Sequence, residues 1–199
     1  MKLLPLLLIL CVASCSVQAT PDTLSKKGWD QQINGVLPEK WRSLDRVKLN
    51  ETTLDEIETF YGEGVRVRKE GKEGSPFFLC YAVGHEHIVI FESGPLGGWS
   101  TVTGIMVAEK GKYDNKNCGG SIKIPLGVAE LRIGNEERNV YDALGKPSFK
   151  TQEGIVYRYH HKAVSKRSKN QVIDVTSGIE VGLHEGWVNW IYIYWLEST

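Results

Sequence analysis

Apolar positions at i, i+3, i+6 and i+7 set one helical face at Leu54, Ile57, Phe60 and Tyr61. Thr52 or Thr53 supplies the N-cap, Asp55 and Glu56 suit the positive end, and Gly62 stops the helix. Three strand-like runs follow at 77–83, 87–92 and 102–108, rich in β-branched and aromatic residues and separated by glycine-containing turns. The same order returns further on. Asn135 can cap a helix through Glu136, Glu137, Val140, Tyr141 and Leu144, closed by Gly145 and followed by Pro147. Strands are then expected at 155–161, at a run starting at Val172 or Ile179 and ending at Leu183, and at 188–195.

The two halves share their spacing. Ile57 to Gly62 equals Val140 to Gly145, and Phe91-Glu92-Ser93-Gly94 has the form of Leu183-His184-Glu185-Gly186. The offset is 83 to 92 residues, so the economical expectation is two units of a helix plus a three-stranded meander. The run Leu144-Gly145-Lys146-Pro147, the strand with Tyr157 and Tyr159, and Gly186-Trp187-Val188 with Ile191 resemble one repeat of the beta-lactamase-inhibitor-like fold. The small lipoprotein of the outer-membrane β-barrel assembly machinery uses that fold too. The second unit, 131–195, carries the resemblance best. The first, 50–108, lacks the Gly-x-Pro after its helix and has a longer loop at 66–76. The resemblance implies an α+β fold, with two tandem helix-plus-meander repeats forming one antiparallel sheet and the helices on one face.

The start of the chain adds a compartment. Met1-Lys2 precedes an almost wholly apolar stretch from Leu3 to Val12, too short to span a bilayer but suited to an export signal. Val12-Ala13-Ser14-Cys15 resembles the bacterial lipobox, which implies cleavage before Cys15 and its lipidation. Ser16 after that cysteine implies sorting to the outer membrane, facing the periplasm. Val17-Gln18-Ala19 offers a rival cut that releases a soluble protein. The expected organisation is therefore a signal at 1–14, a tether and N-terminal segment at 15–49, a first repeat at 50–110, a connecting loop at 111–130 and a second repeat at 131–199.

Export also changes how Cys80 and Cys118 read. An oxidising compartment lets them pair across a loop of 39 residues, the alternative being two free thiols. Neither has a CxxC partner, so a zinc site is not expected.

Composition narrows the function. Lysine plus arginine and aspartate plus glutamate each number 24, for a formal net charge of zero, which argues against a general nucleic-acid binder. No Gly-x-Ser-x-Gly elbow and no phosphate-binding Walker loop occurs. His85-Glu86-His87 has a spacing that can hold a metal, with His160, His161 or His184 as a third ligand. Five histidines in 199 residues are unexceptional, and no metal and no cofactor is assigned. Four basic residues, Lys162, Lys166, Arg167 and Lys169, gather at an expected hairpin tip that can meet anionic lipid or an acidic partner.

In the last strand, alternation puts Trp190, Tyr192 and Tyr194 on the face opposite Ile191 and Ile193. That aromatic row is the candidate contact for a protein partner, unless an N-terminal segment with Trp29 and Trp41 covers it. The expectation is a non-enzymatic, lipid-anchored envelope protein that binds another protein, as an assembly factor or an enzyme inhibitor. A histidine-based metal protein or hydrolase, and a structural lipoprotein binding lipid or peptidoglycan, are the rival readings.

Overall fold

Near-continuous apolar runs such as Phe77–Val83 and Trp187–Ser198 form strands buried on both faces, and these make the centre of the molecule. The structure, a computed structural model, describes residues 31–68, 76–94, 98–111, 118–165 and 170–198. Short strands β1 (Ile33–Asn34), β2 (Ser43–Leu44) and β3 (Val47–Lys48) precede helix α1 (Leu54–Tyr61). Strands β4 (Val65–Arg68), β5 (Phe77–Val83), β6 (His87–Gly94) and β7 (Gly98–Glu109) follow, then β8 (Gly119–Ser121), β9 (Gly127–Val128) and β10 (Leu131–Arg132). Helix α2 (Glu137–Leu144) leads into β11 (Phe149–Lys150), β12 (Gly154–Val164), β13 (Val172–His184) and β14 (Trp187–Ser198).

Ten of these strands form one sheet in the order β1-β12-β13-β14-β7-β6-β5-β4, with β11 also on β12 and β8 also on β5. The sheet is mixed, because β1 on β12 and β8 on β5 are parallel pairs. This overturns the expected α+β arrangement of two helix plus three-stranded antiparallel meander repeats. The described chain is mostly β, 57% strand and 13% helix, around a single large sheet. The added strands have a common physical reason. β4 reads Val-Arg-Val-Arg, β8 reads Gly-Gly-Ser, and β1 and β11 are two residues each. Such edge strands gain their hydrogen bonds from a neighbour, and their own sequences carry no long apolar run that would announce them.

Helix α1 starts with a capping box, in which the Thr53 hydroxyl accepts from the Glu56 N–H and the Glu56 carboxylate accepts from the Thr53 N–H. Helix α2 is capped by Glu136 and not by Asn135. The Asn135 side-chain oxygen instead accepts from the Arg132 N–H at 2.8 Å, one turn earlier.

Both helices pack into the larger core. Leu54 and Ile57 of α1 and Val140 of α2 lie in one cluster with Tyr81, Phe91, Ile105, Tyr157, Ile179, Ile191 and Ile193. Residues 31–49, expected as the end of a tether, belong to this core: Leu37, Trp41, Leu44, Val47 and Leu49 are all buried in it. Ile122, Ile124 and Val128 do the same from the segment expected as a connecting loop. Gly119 and Gly120, from that same segment, belong to strand β8. No helix among the described residues is long and apolar enough to cross a membrane. Cys15, Trp29 and the apolar leader lie outside the described residues.

Candidate functional site

Two surfaces hold the chemistry: the sheet face turned away from the helices, and a cleft beside the edge strand β4.

On that sheet face a smaller cluster joins Phe78, Cys80, Ile88, Ile90, Met106, Ala108 and Trp190, with Tyr192 and Cys118 packed against it. Strand alternation puts Trp190, Tyr192 and Tyr194 here and sends Ile191 and Ile193 into the larger core, since successive side chains point to opposite faces. Trp190 and Tyr194 are only 3% and 1% exposed, while Tyr192 is partly exposed. The row therefore stands as a second core layer, and not as an open platform. Trp41 covers none of it, being buried in the larger core.

Each ring lies where a neighbouring strand carries glycine. Tyr194 pairs with Gly178 on β13 and with Gly104 on β7, and Gly182 pairs with Trp190. A Cβ on Gly104 would come to 2.7 Å from the Tyr192 hydroxyl, and one on Gly178 to 2.6 Å from the Tyr194 hydroxyl. A Cβ on Gly182 would fall on the Trp190 indole. The aromatic side chains lean sideways across the sheet and fill the gaps the glycines leave. Tyr192 and Tyr194 stack, with ring centroids 5.5 Å apart and planes 27° apart.

Polar groups are built into the same layer. The Tyr192 hydroxyl donates to Glu92 Oε2 at 2.8 Å, and Arg158 Nε donates to the Tyr194 hydroxyl at 3.3 Å. Arg158 also lies over the Phe149 ring at 5.3 Å. Arg158 and Glu180 are both fully buried charges, neither of them singled out in the sequence. Their signal was a charge inside an apolar strand run, Val-Tyr-Arg-Tyr and Ile-Glu-Val.

Burial holds both phenols neutral. It pushes the Tyr192 hydroxyl well above its ordinary value, with Glu92 adding to the effect, and it pushes Tyr194 up to about 12, with Glu180 adding there. Unfolding returns Tyr194 to an ordinary value near 10, so above that pH the unfolded chain binds fewer protons than the native one. Stability contributed by Tyr194 is then lost as pH rises from about 10 to 12, by up to ~1.4 kcal/mol per pH unit. The urea midpoint should fall across that window, and the Tyr194→Phe variant should show a shallower fall. Equal slopes for the two chains would contradict this account.

Cys80 and Cys118 are joined by a disulfide. It lies against the aromatic layer and pins the start of β8 to β5, while Ile122 and Ile124 carry the chain round into the larger core.

The histidines do not converge. His85 lies in the β5–β6 turn and His87 starts β6, His160 and His161 lie on β12 near the far edge of the sheet, and His184 ends β13. Among the described residues no group of three or more His, Cys, Asp or Glu side chains is placed to hold a metal ion. His160 Nε2 approaches Asp174 at 3.4 Å, and burial, with help from Arg42, pushes the His161 imidazole below its ordinary value.

The second surface was missed in the sequence. A cleft of about 660 Å³ opens between α1 and β4, lined by Asp55, Glu58, Thr59, Glu63, Gly64 and Arg66. Arg66 bonds to Glu58 at 2.5 Å and to Asp55, and these carboxylates keep its guanidinium charged. The lining holds three carboxylates against one guanidinium, a net negative wall. Phe60 on α1 and Val67 on β4 are exposed large apolar side chains on the same two elements. β4 ends the strand order, and no described strand pairs with its outer edge. The sequence hint was the alternation Val65-Arg66-Val67, a strand pattern too short and too charged to stand out.

Compared with known protein families, with curated proteins and with solved structures, the chain matches none.

Proposed function

We propose that this chain is a non-enzymatic, lipid-anchored envelope protein that binds a protein partner by taking an extended, basic segment of it onto the outer edge of β4. The single observation that carries the reading is the outer edge of β4 beside the α1 cleft, with which no described strand pairs. An extended peptide added to an exposed sheet edge gains main-chain hydrogen bonds, and flanking pockets give it specificity. Here the flank is acidic, through Asp55, Glu58 and Glu63, and Val67 offers apolar area beside it. The lipobox resemblance at Cys15 supports anchoring, and the inhibitor-like motifs offer two roles, envelope assembly or inhibition of a periplasmic enzyme.

The partner site moves from the aromatic row to the sheet edge for a packing reason. Trp190 and Tyr194 are already covered, and a buried ring offers a partner no area to desolvate.

A photo-crosslinking amino acid placed at Val67 in the full chain, produced in its own cells, should trap a discrete protein. The same group at Glu185, in the exposed β13–β14 turn, should not. Changing Glu63→Lys should weaken the adduct at Val67, by opposing a basic segment. No adduct above the Glu185 control, or one indifferent to Glu63→Lys, would overturn the reading.

A further inference from the structure

Two strands meet end to end along one side of β5. β4 pairs antiparallel with Phe77 to Cys80, and β8 pairs parallel with Tyr81 and Ala82. β8 reads Gly-Gly-Ser and brings no apolar side chain to the core, so it is held by backbone pairing and by its two ends. At one end the Cys80–Cys118 disulfide ties it to β5. At the other, Ile122 is buried and donates its N–H to the Ala82 carbonyl at 2.9 Å.

β8 also presses on the residues that lead into β4. A Cβ on Gly119 would come to 2.8 Å from Val65 Cγ2, and one on Gly120, at φ +48°, to 3.3 Å from the Glu63 carbonyl. Glycine at both positions permits this approach. From the other side, a Cβ on Gly64 would come to 2.7 Å from both Leu79 and the Tyr81 ring. The Tyr81 hydroxyl donates to the Gly62 carbonyl at 2.7 Å. Residues 62–65 are thus clamped between β5 and β8, and Glu63, Gly64 and Arg66 line the α1 cleft.

We propose that the Cys80–Cys118 disulfide is a redox-sensitive control of the β4 partner site. Joined, it keeps β8 against residues 62–65 and the cleft wall formed. Reduced, it leaves β8 with backbone pairing to two residues and no buried side chain before Ile122, and a segment so lightly held opens locally. This control rests on the reading of β4 as the partner edge. Cys118 is half-buried and Cys80 only 3% exposed, so the Cys118 sulfur is the one a dithiol reductant reaches. One thiolate of the reductant attacks it, and the Cys80 sulfur leaves with the bonding pair and takes up a proton. The second reductant thiol then displaces Cys118 as a thiol. Two electrons and two protons enter the protein, and the reductant ends as a disulfide.

The first test is hydrogen exchange on the full chain, before and after reduction with dithiothreitol. Protection of the Ile122 and β4 amides should fall about tenfold or more, while the β13–β14 amides stay protected. Unchanged exchange at Ile122 and β4 would overturn the control and leave the β4 reading untouched. Equal loss across β13 and β14 would mean global unfolding, and would overturn it too. The second test repeats the Val67 crosslink in C80A/C118A, a chain fixed in the unjoined state. The adduct should fall several-fold at equal protein level. An adduct as strong as in the wild-type chain would overturn the control alone, whereas no adduct in either chain would fail the partner reading and the control with it.

Discussion

Replacing Gly182 by alanine is expected to lower the unfolding free energy by about 2–3 kcal/mol, a large loss for the addition of one methyl group. The new Cβ falls on the Trp190 indole, so the ring must leave its place in the layer it shares with Met106 and Ala108. The indole is 3% exposed and has little space to move into. The test is a double-mutant cycle. With Trp190→Leu in the background, the clash is relieved and the same Gly182→Ala change should cost little, since glycine within a strand is itself unfavourable. Two additive losses would show that the ring and the glycine are uncoupled, and the packing described here would be wrong.

Removing the disulfide has the other large effect. The Cys80 to Cys118 separation is 38 residues, for which the loop-closure model gives about 3–4 kcal/mol of stabilisation by restricting the unfolded chain. The C80A/C118A variant should lose about that much in urea unfolding, with a melting temperature lower by roughly 10 °C. Alanine suits the buried site at Cys80, which packs beside Phe78 and Ile90. Reduction of the wild-type protein should reproduce the loss. A wild-type chain insensitive to reductant would mean that the cysteines are not joined in solution.

Both effects arise on the face where sequence reasoning looked for a binding platform, and the reason for the difference is instructive. Alternation in Val188 to Trp195 placed Trp190, Tyr192 and Tyr194 on one side, and the structure has them there. Alternation gives the direction of a side chain and says nothing about its cover. That cover includes Gly178 and Gly182, which let the rings lie down across the neighbouring strand, and the register that pairs them is set over 13 residues of β13. Glycine inside a strand is a visible signal, but its partner lies on another strand and is fixed only by pairing.

Local chemistry was legible where the causes are local. The helix over Leu54 to Tyr61 follows from its cap, its apolar spacing and Gly62, all within ten residues. The long apolar strands are equally plain, because burial on both faces leaves a continuous hydrophobic run. The pairing of Cys80 with Cys118 was open in the sequence and is made by β8 running beside β5.

By itself, then, the sequence determined two helices, six strongly apolar strands, the directions of their side chains and a chain without net charge. The tertiary structure decided that these strands join with β1, β4, β8 and β11 into one mixed sheet, and that the aromatic row is core. It also decided that an acidic cleft lies beside β4, whose outer edge no described strand pairs, while the exposed pair Val164 and Val172 ends the described part of the β12–β13 hairpin. The division has one physical cause. Helix caps and apolar runs act between neighbours in the chain, whereas edge strands and glycine–aromatic packing gain their free energy only from residues brought close by folding.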